Sequence, residues 1–165
     1  MTTGRNRRPN LGDIMSDQAT DYVRFQRANF VVTDLDRALR FYRDALGLKL
    51  DFVKNSPDDS YSYDVFEIDP SQPIRFAVLS TETQVRVLAL TELADASLDP
   101  VPNPRRSAIV LEVGDVDGVV AAAKEAGCHV YGEDELVTHD GRVGREVGFV
   151  DHDGNLTVIY HIPQA

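Results

Sequence analysis

With 17 Lys and Arg against 27 Asp and Glu in 165 residues, the chain carries a formal charge of −10, which argues against a general nucleic-acid or anionic-membrane partner because both need a positive field over the contact surface. The length suits one compact domain, or two half-domains sharing a core, and a single cysteine, Cys128, excludes an internal disulfide. No apolar run reaches the roughly 20 residues of a membrane helix, and Arg5, Arg7 and Arg8 are not followed by the apolar stretch of a secretory signal, so a cytoplasmic protein with no membrane partner is expected.

Residues 1–22 mix Arg, Asn, Gly, Pro and Asp without sustained periodicity and read as an N-terminal arm, either loose or embracing a partner subunit. From Arg24 to Val32 the residues alternate and then turn apolar, the pattern of a strand ending at Thr33. Asp34 follows as a helix N-cap, with Ala38, Leu39, Tyr42, Ala45 and Leu46 at helical spacing before Gly47 ends the segment. Leu48 to Asn55 is a second strand, Ser56 to Asp59 a turn by composition, and Tyr61 to Ile68 alternates as an inserted strand would. Ile74 to Ser80 and Val85 to Leu93 form a hairpin around Thr81-Glu82-Thr83-Gln84.

Pro100, Pro102 and Pro104 make residues 95–106 a linker. Beyond it the order repeats: a strand over Ile109 to Val113, a helix over Val116 to Ala126, a strand from His129 to about Val137, and a final pair, Glu146 to Val150 and Leu156 to His161. Asp151-His152-Asp153-Gly154-Asn155 supplies the turn between these last two strands. Cys128, just after Gly127, behaves as a small buried hydrophobe. The two copies show in the sequence itself: Phe30 to Gly47 is echoed by Leu111 to Gly127, with Asp34 and Asp115 offset by 115 − 34 = 81 positions. The predicted fold is therefore α+β, a βαβββ unit twice, with a first module over residues 23–94 and a second over 107–165.

Val-Val-Thr-Asp-Leu-Asp-Arg-Ala-Leu-Arg-Phe-Tyr-Arg-Asp-Ala-Leu-Gly-Leu at 31–48 and Phe-Val-Asp-His-Asp-Gly-Asn-Leu at 149–156 resemble the vicinal oxygen chelate superfamily of glyoxalase I, extradiol dioxygenases, and fosfomycin- and bleomycin-resistance proteins. The resemblance runs from about Phe25 to Ile162. It implies that each module bends its sheet into half a cup, with helices on the convex face and any metal ligands on the concave one. The positions that hold ligands in metal-dependent members fall here on Arg27, Ala89, Ala108 and Val158. Ala and Val have no donor atom and Arg stays protonated, so no metal and no cofactor is expected.

Side chains alternate across a strand, so the same positions name the rest of the concave lining: Arg27, Asn29 and Val31; Val85, Val87, Ala89 and Thr91; Ala108, Val110 and Glu112; Leu156, Val158 and Tyr160. Phe30, Val32, Leu88, Leu90, Ile109, Leu111, Val113 and Ile159 then face the helices. Tyr63 is placed either as an aromatic roof over the cavity or in the packing of its own inserted strand. A lining of Val, Leu and Ala with few polar groups suits a small, partly apolar organic ligand, aromatic or polyketide-like, in a homodimeric scaffold like that of the bleomycin-resistance proteins.

Arg27 and Glu112 are the sharpest candidates, because opposite charges inside a low-dielectric cavity must pair with each other or with a ligand; the alternative is a structural ion pair, or strand-end side chains that reach out to water. Arg27 would anchor an oxygen anion and Glu112 would accept a hydrogen bond or act as a base. Three readings stay open: a metal-free binding protein; a metal-free lyase or isomerase in which Glu112 moves a proton and Arg27 or Tyr160 steadies an oxyanion; and a metal-dependent glyoxalase or dioxygenase whose ligands a one-residue slip has hidden, which would bring Gln26, Glu92 or His161 into play. Arg142 and Arg145 around Gly144 read as a solvent loop. Nucleophilic catalysis has no motif to support it.

Overall fold

Both long helices begin where an Asp side chain replaces a missing acceptor. Asp34 Oδ1 accepts the Arg37 N–H and Asp115 Oδ1 accepts the Gly118 N–H, each at 2.9 Å, satisfying donors that the first turn leaves free. The computed structural model describes residues 23–164, and the arm expected over residues 1–22 lies outside them. Strand β1 (Ala28–Val32) precedes the first cap and helix α1 (Leu35–Leu39) follows it. Helix α1 runs on into a π-helical turn, Arg40–Ala45, in which the Leu46 N–H donates to the Phe41 carbonyl at 2.9 Å. That wider turn buries the adjacent Phe41 and Tyr42 together, which a regular amphipathic period does not predict. Gly47, at φ +81°, closes the segment in the left-handed region that glycine adopts freely.

The first module continues with β2 (Lys49–Asn55), a short α2 (Ser62–Val65), β3 (Ile74–Ser80) and β4 (Leu88–Leu93), forming a sheet in the order β1-β4-β3-β2. The second contains β5 (Ile109–Glu112), α3 (Val116–Glu125), β6 (His129–Val130), β7 (Asp134–Val137), β8 (Val143–Val150) and β9 (Leu156–His161), in the order β5-β9-β8-β6 with β7 also on β8. In each sheet the first strand pairs parallel with the last and the rest are antiparallel. This is the predicted α+β architecture of two βαβββ units.

One core joins the modules. Phe30, Val32, Leu88 and Leu90 from the first sheet meet Val147, Phe149 and Ile159 from the second around Leu35, Phe41, Tyr42, Val116, Val119 and Ala123 of the helices. Phe41 lies 5.8 Å from Phe149 between ring centroids. The helices thus cover one face of both sheets, and Phe30, Val32, Leu88, Leu90 and Ile159 fall on that face as their alternation requires.

Four local readings are corrected. Tyr61 to Ile68 contains no strand: α2 forms there, and Tyr63 and Ile68 pack with Ile74 and Leu93 in a second small cluster. Strand β4 starts at Leu88 rather than Val85, because Arg86 sits at φ +57° and no strand passes through that conformation. The run from His129 to Val137 splits in two. Val130 pairs with Phe149 and Asp134 with Glu146, so four steps on one strand oppose three on the other and the surplus residue forces a bulge. Gly144 and Arg145 belong to β8, not to a solvent loop. A Cβ at Gly144 would stand 2.3 Å from the His161 carbonyl oxygen, so glycine lets β8 approach β9 there.

Candidate functional site

The two modules touch in two places that the repeat relates to each other. Ala28 pairs with Leu88 and Ile109 with Thr157, so β1 corresponds to β5, β4 to β9, and the turn at 151–155 to the connection at 81–87. The first contact is sealed. Buried Asp151 accepts hydrogen bonds from the Tyr42 hydroxyl (2.9 Å), the Asn155 side-chain amide (2.9 Å), and the N–H groups of Asp153 (2.9 Å) and Asn155 (2.8 Å). The same Asn155 amide donates to the Val31 carbonyl at 3.1 Å, and Thr33 donates to Asp153 at 2.6 Å. Burial pushes the Tyr42 phenol well above its ordinary 10.0, and the charge of Asp151 pushes it further.

The second contact stands open. Two adjoining cavities of 630 and 770 Å³ separate the connection at 81–87 from β5, and both are lined by Leu48, Thr81, Thr83, Gln84, Val110 and Leu111. Arg24, Phe25, Val85, Val87 and Ala108 line the first; Glu112, Asp115 and Tyr160 line the second. Large apolar side chains stand in water around the opening, with Phe25 77%, Val85 68% and Val110 62% exposed.

Of the sequence-predicted site residues, only Val87, Glu112 and Tyr160 line these two cavities, together with Val85, Ala108 and Val110 of the wider concave lining, and the others lie elsewhere. Val87 lines the first cavity, and Glu112 and Tyr160 line the second as direct cross-strand partners on β5 and β9. Val158 lies in a third, 360 Å³ cavity with Tyr131, Glu146 and Gly148. Asn29 and Thr91 pair across β1 and β4, the Thr91 hydroxyl donating to Asn29 Oδ1 at 3.0 Å beside buried Ala89. Tyr63 is buried in the α2 cluster, which favours packing within the insertion over an open aromatic roof. Arg27 and Glu112 are both exposed and make no ion pair with each other among the described residues, which favours strand-end side chains that reach water in the free protein over a mutual ion pair.

Of the three residues a register slip would bring into play, Gln26 lines the first cavity, while Glu92 and His161 lie on the helix-side face. Glu92 is buried, accepts the Leu35 N–H at 2.7 Å at the start of α1 and pairs with Arg75. Burial alone would raise its pKa, but the Arg75 guanidinium and the Leu35 N–H outweigh burial and hold the carboxyl below its ordinary value. His161 occupies the corresponding place on β9 (161 − 92 = 157 − 88 = 69), its Nδ1 2.8 Å from the Val113 carbonyl oxygen. Both are committed to joining strand to helix. Among the described residues no three His, Cys, Asp or Glu side chains converge to hold a metal ion, and Arg27, Ala89, Ala108 and Val158 offer no donor set that fits one.

Sequence reasoning missed Arg24, Phe25 and the polar side chains of Thr81, Thr83 and Gln84 as lining residues. A signal for them was present. Thr-Glu-Thr-Gln stands in the first module where the second has the Asp-x-Asp-Gly-Asn that seals β1.

Among curated proteins no relative matches the chain. Solved structures share its fold: a glyoxalase family protein from Bacillus cereus (19% identity, TM-score 0.67, 90% of this chain and 100% of that one) and the trypanothione-dependent glyoxalase I of Leishmania major (22%, 0.60, 85% and 87%). TnmS3, an antibiotic binding protein from Streptomyces sp. CB03234, is similar over 87% of this chain and 99% of its own, at 19% identity and TM-score 0.53. Residues 24–159 match the family model of these folds, and with the duplicated βαβββ topology this makes the chain a member of the glyoxalase/bleomycin resistance protein/dioxygenase superfamily.

Proposed function

We propose that this member binds a small, partly apolar organic molecule, aromatic or polyketide-like, where the two modules adjoin, and that it does so without the metal of its catalytic relatives. The observation that carries the reading is what stands at the family's ligand positions. Ala89, Ala108 and Val158 have no donor atom and Arg27 keeps its proton, while Ala108 lines a 630 Å³ cavity with Val85, Val87 and Val110. That volume lies within the range of about 300–1,000 Å³ usual for small-molecule sites. TnmS3 carries antibiotic binding on the same fold and supports the reading by analogy. A homodimer, the assembly the resemblance to the bleomycin-resistance proteins implies, belongs to the same proposal, and exposed Val110, Val85 and Phe25 gain cover from the ligand.

One observation favours a second reading. Glu112 and Tyr160 are cross-strand partners on the wall of the 770 Å³ cavity, and a carboxylate beside a phenol suits metal-free proton transfer of the lyase or isomerase kind. Titration with a fluorescent anthracycline, followed by quenching with and without EDTA, tests the first reading. Binding is expected to survive EDTA and to weaken at least tenfold in Ala108→Trp, which fills the cavity. No binding, or binding that EDTA abolishes, overturns it; turnover of a bound compound that Glu112→Gln stops selects the second.

A further inference from the structure

The N–H and C=O groups of a parallel edge strand alternate between its partner and open space. The Val113 N–H donates to the Tyr160 carbonyl at 3.0 Å, so Ile109, Leu111 and Val113 turn their backbone groups to β9, while Val110 and Glu112 turn theirs to the free edge. The corresponding edge in the first module confirms the pattern: the Ala28 N–H donates to the Val87 carbonyl at 2.9 Å, and the outward Val31 carbonyl is taken up by Asn155. On β5 no described residue takes that place. Among the described residues no group hydrogen-bonds the outward backbone of Val110 or Glu112, and both residues line the open cleft.

We propose that this free edge of β5 is a docking edge for a short, extended, peptide-like molecule, whose amides pair with Val110 and Glu112 and whose charged ends meet Arg24 and Glu112 at opposite ends of the cleft. The inference rests on the proposed small-molecule site and names the chemistry of part of its occupant. An unpaired strand edge at the floor of a cleft recruits amides in register. Side groups of an extended ligand then meet both the apolar Val85, Val87 and Phe25 and the polar Thr81, Thr83 and Gln84 of the lining. Arg24 borders only the cavity that contains Ala108, and Glu112 only the one that contains Tyr160. A zwitterion laid with its carboxylate at Arg24 and its ammonium at Glu112 therefore finds opposite charge at each end. Ala108 to Glu112 spans about 13 Å at the strand rise of ~3.3 Å per residue, the length of a tri- or tetrapeptide.

The occupant is a free small molecule rather than a strand of a second copy, because Arg24 and Glu112 offer opposite charges on the linings of two adjoining cavities, which suits a short zwitterion. Trivaline is the probe, with its fully N-methylated form as the control that keeps shape and charge but has no amide N–H to donate. In titrations of the full-length protein, trivaline should shift the backbone amide resonances of Val110 and Glu112, and N-methylation should weaken binding at least tenfold. Val110→Pro removes one outward N–H without touching the β5–β9 ladder and should cost as much; Arg24→Ala should cost about fivefold, and the loss should shrink when the probe carries a C-terminal amide. The N-methyl comparison uses the unaltered protein and so stands even if Val110→Pro fails to fold. Equal binding of the two probes, or shifts confined elsewhere, overturns the inference while anthracycline binding leaves the functional proposal intact. If neither class of probe binds, both fall. Shifts at Val110 and Glu112 that follow protein concentration instead of trivaline assign the edge to a second copy and also overturn it.

Discussion

The two contacts between the modules occupy equivalent places in a duplicated fold and differ in chemistry. At the edge of β1, a turn with two carboxylates and a carboxamide ties the modules together through hydrogen bonds that run from Tyr42 through Asp151 and Asn155 to Val31. At the edge of β5, the connection at 81–87 brings hydroxyls and an amide but bends away at Arg86, and cavities remain. Duplication alone would have made both contacts alike. One holds the modules together by hydrogen bonds, and the other carries no such network among the described residues, which is the contrast the proposed binding site rests on.

Breaking the sealed contact should have the largest effect. Asp151→Ala removes the acceptor of four hydrogen bonds, among them that of the buried Tyr42 hydroxyl. An orphaned buried polar group costs about 1–3 kcal/mol, and with the turn's own bonds lost as well a destabilisation of about 3 kcal/mol is expected in urea unfolding. Tyr42→Phe on that background should cost less than Tyr42→Phe alone, because the hydroxyl's partner has already gone. Full additivity would show that the two groups do not act as one unit.

Tyr42→Phe alone should cost about 1 kcal/mol at neutral pH, and its alkaline signature is more specific. The folded phenol titrates well above 10.0, so at high pH the unfolded chain releases a proton that the folded one keeps. Fewer protons bound in the unfolded state means stability falls as pH rises: the Tyr42 contribution is intact below pH 10 and is lost above it. Cys128, pushed up from 9.0 to about 11 by burial and then by Asp151, adds a loss of the same sign from about pH 9. Melting curves between pH 8 and 11 should therefore fall less steeply for Tyr42→Phe than for the natural chain. Parallel falls would remove Tyr42 from the account.

Most of the architecture was legible because it rests on local chemistry. Asp34 and Asp115 cap, Gly47 and Gly127 terminate, and the alternation of Phe30, Val32, Leu88 and Leu90 names the face toward the helices. What the sequence hid depends on tertiary geometry. The π turn at Arg40–Ala45 has no periodic signature, and α2 replaces an alternating pattern because the insertion packs its own cluster instead of joining a sheet. For the site, parity correctly separated Glu92 and His161 from Glu112 and Tyr160. It left open whether Arg27 and Glu112 pair or reach water, since exposure depends on how far one module lies from the other. The cleft itself was visible only as a missing motif, Thr-Glu-Thr-Gln in place of Asp-His-Asp-Gly-Asn.

The open contact should respond least to mutation, and that contrast tests the division of labour most finely. Arg24 and Glu112 are exposed and have no ion-pair partner among the described residues, so neither repays its removal with a lost interaction in the free protein. Surface changes away from caps, networks and packed side chains usually stay within about 0.5 kcal/mol. Arg24→Gln and Glu112→Gln should each keep the urea midpoint within that limit, with an unchanged slope that reports the same surface exposed on unfolding. A loss of more than about 1 kcal/mol from either, measured against the ~0.5 kcal/mol expectation, would mean that these charges hold the modules together as Asp151 does. The cleft would then be a structural joint, not a binding surface.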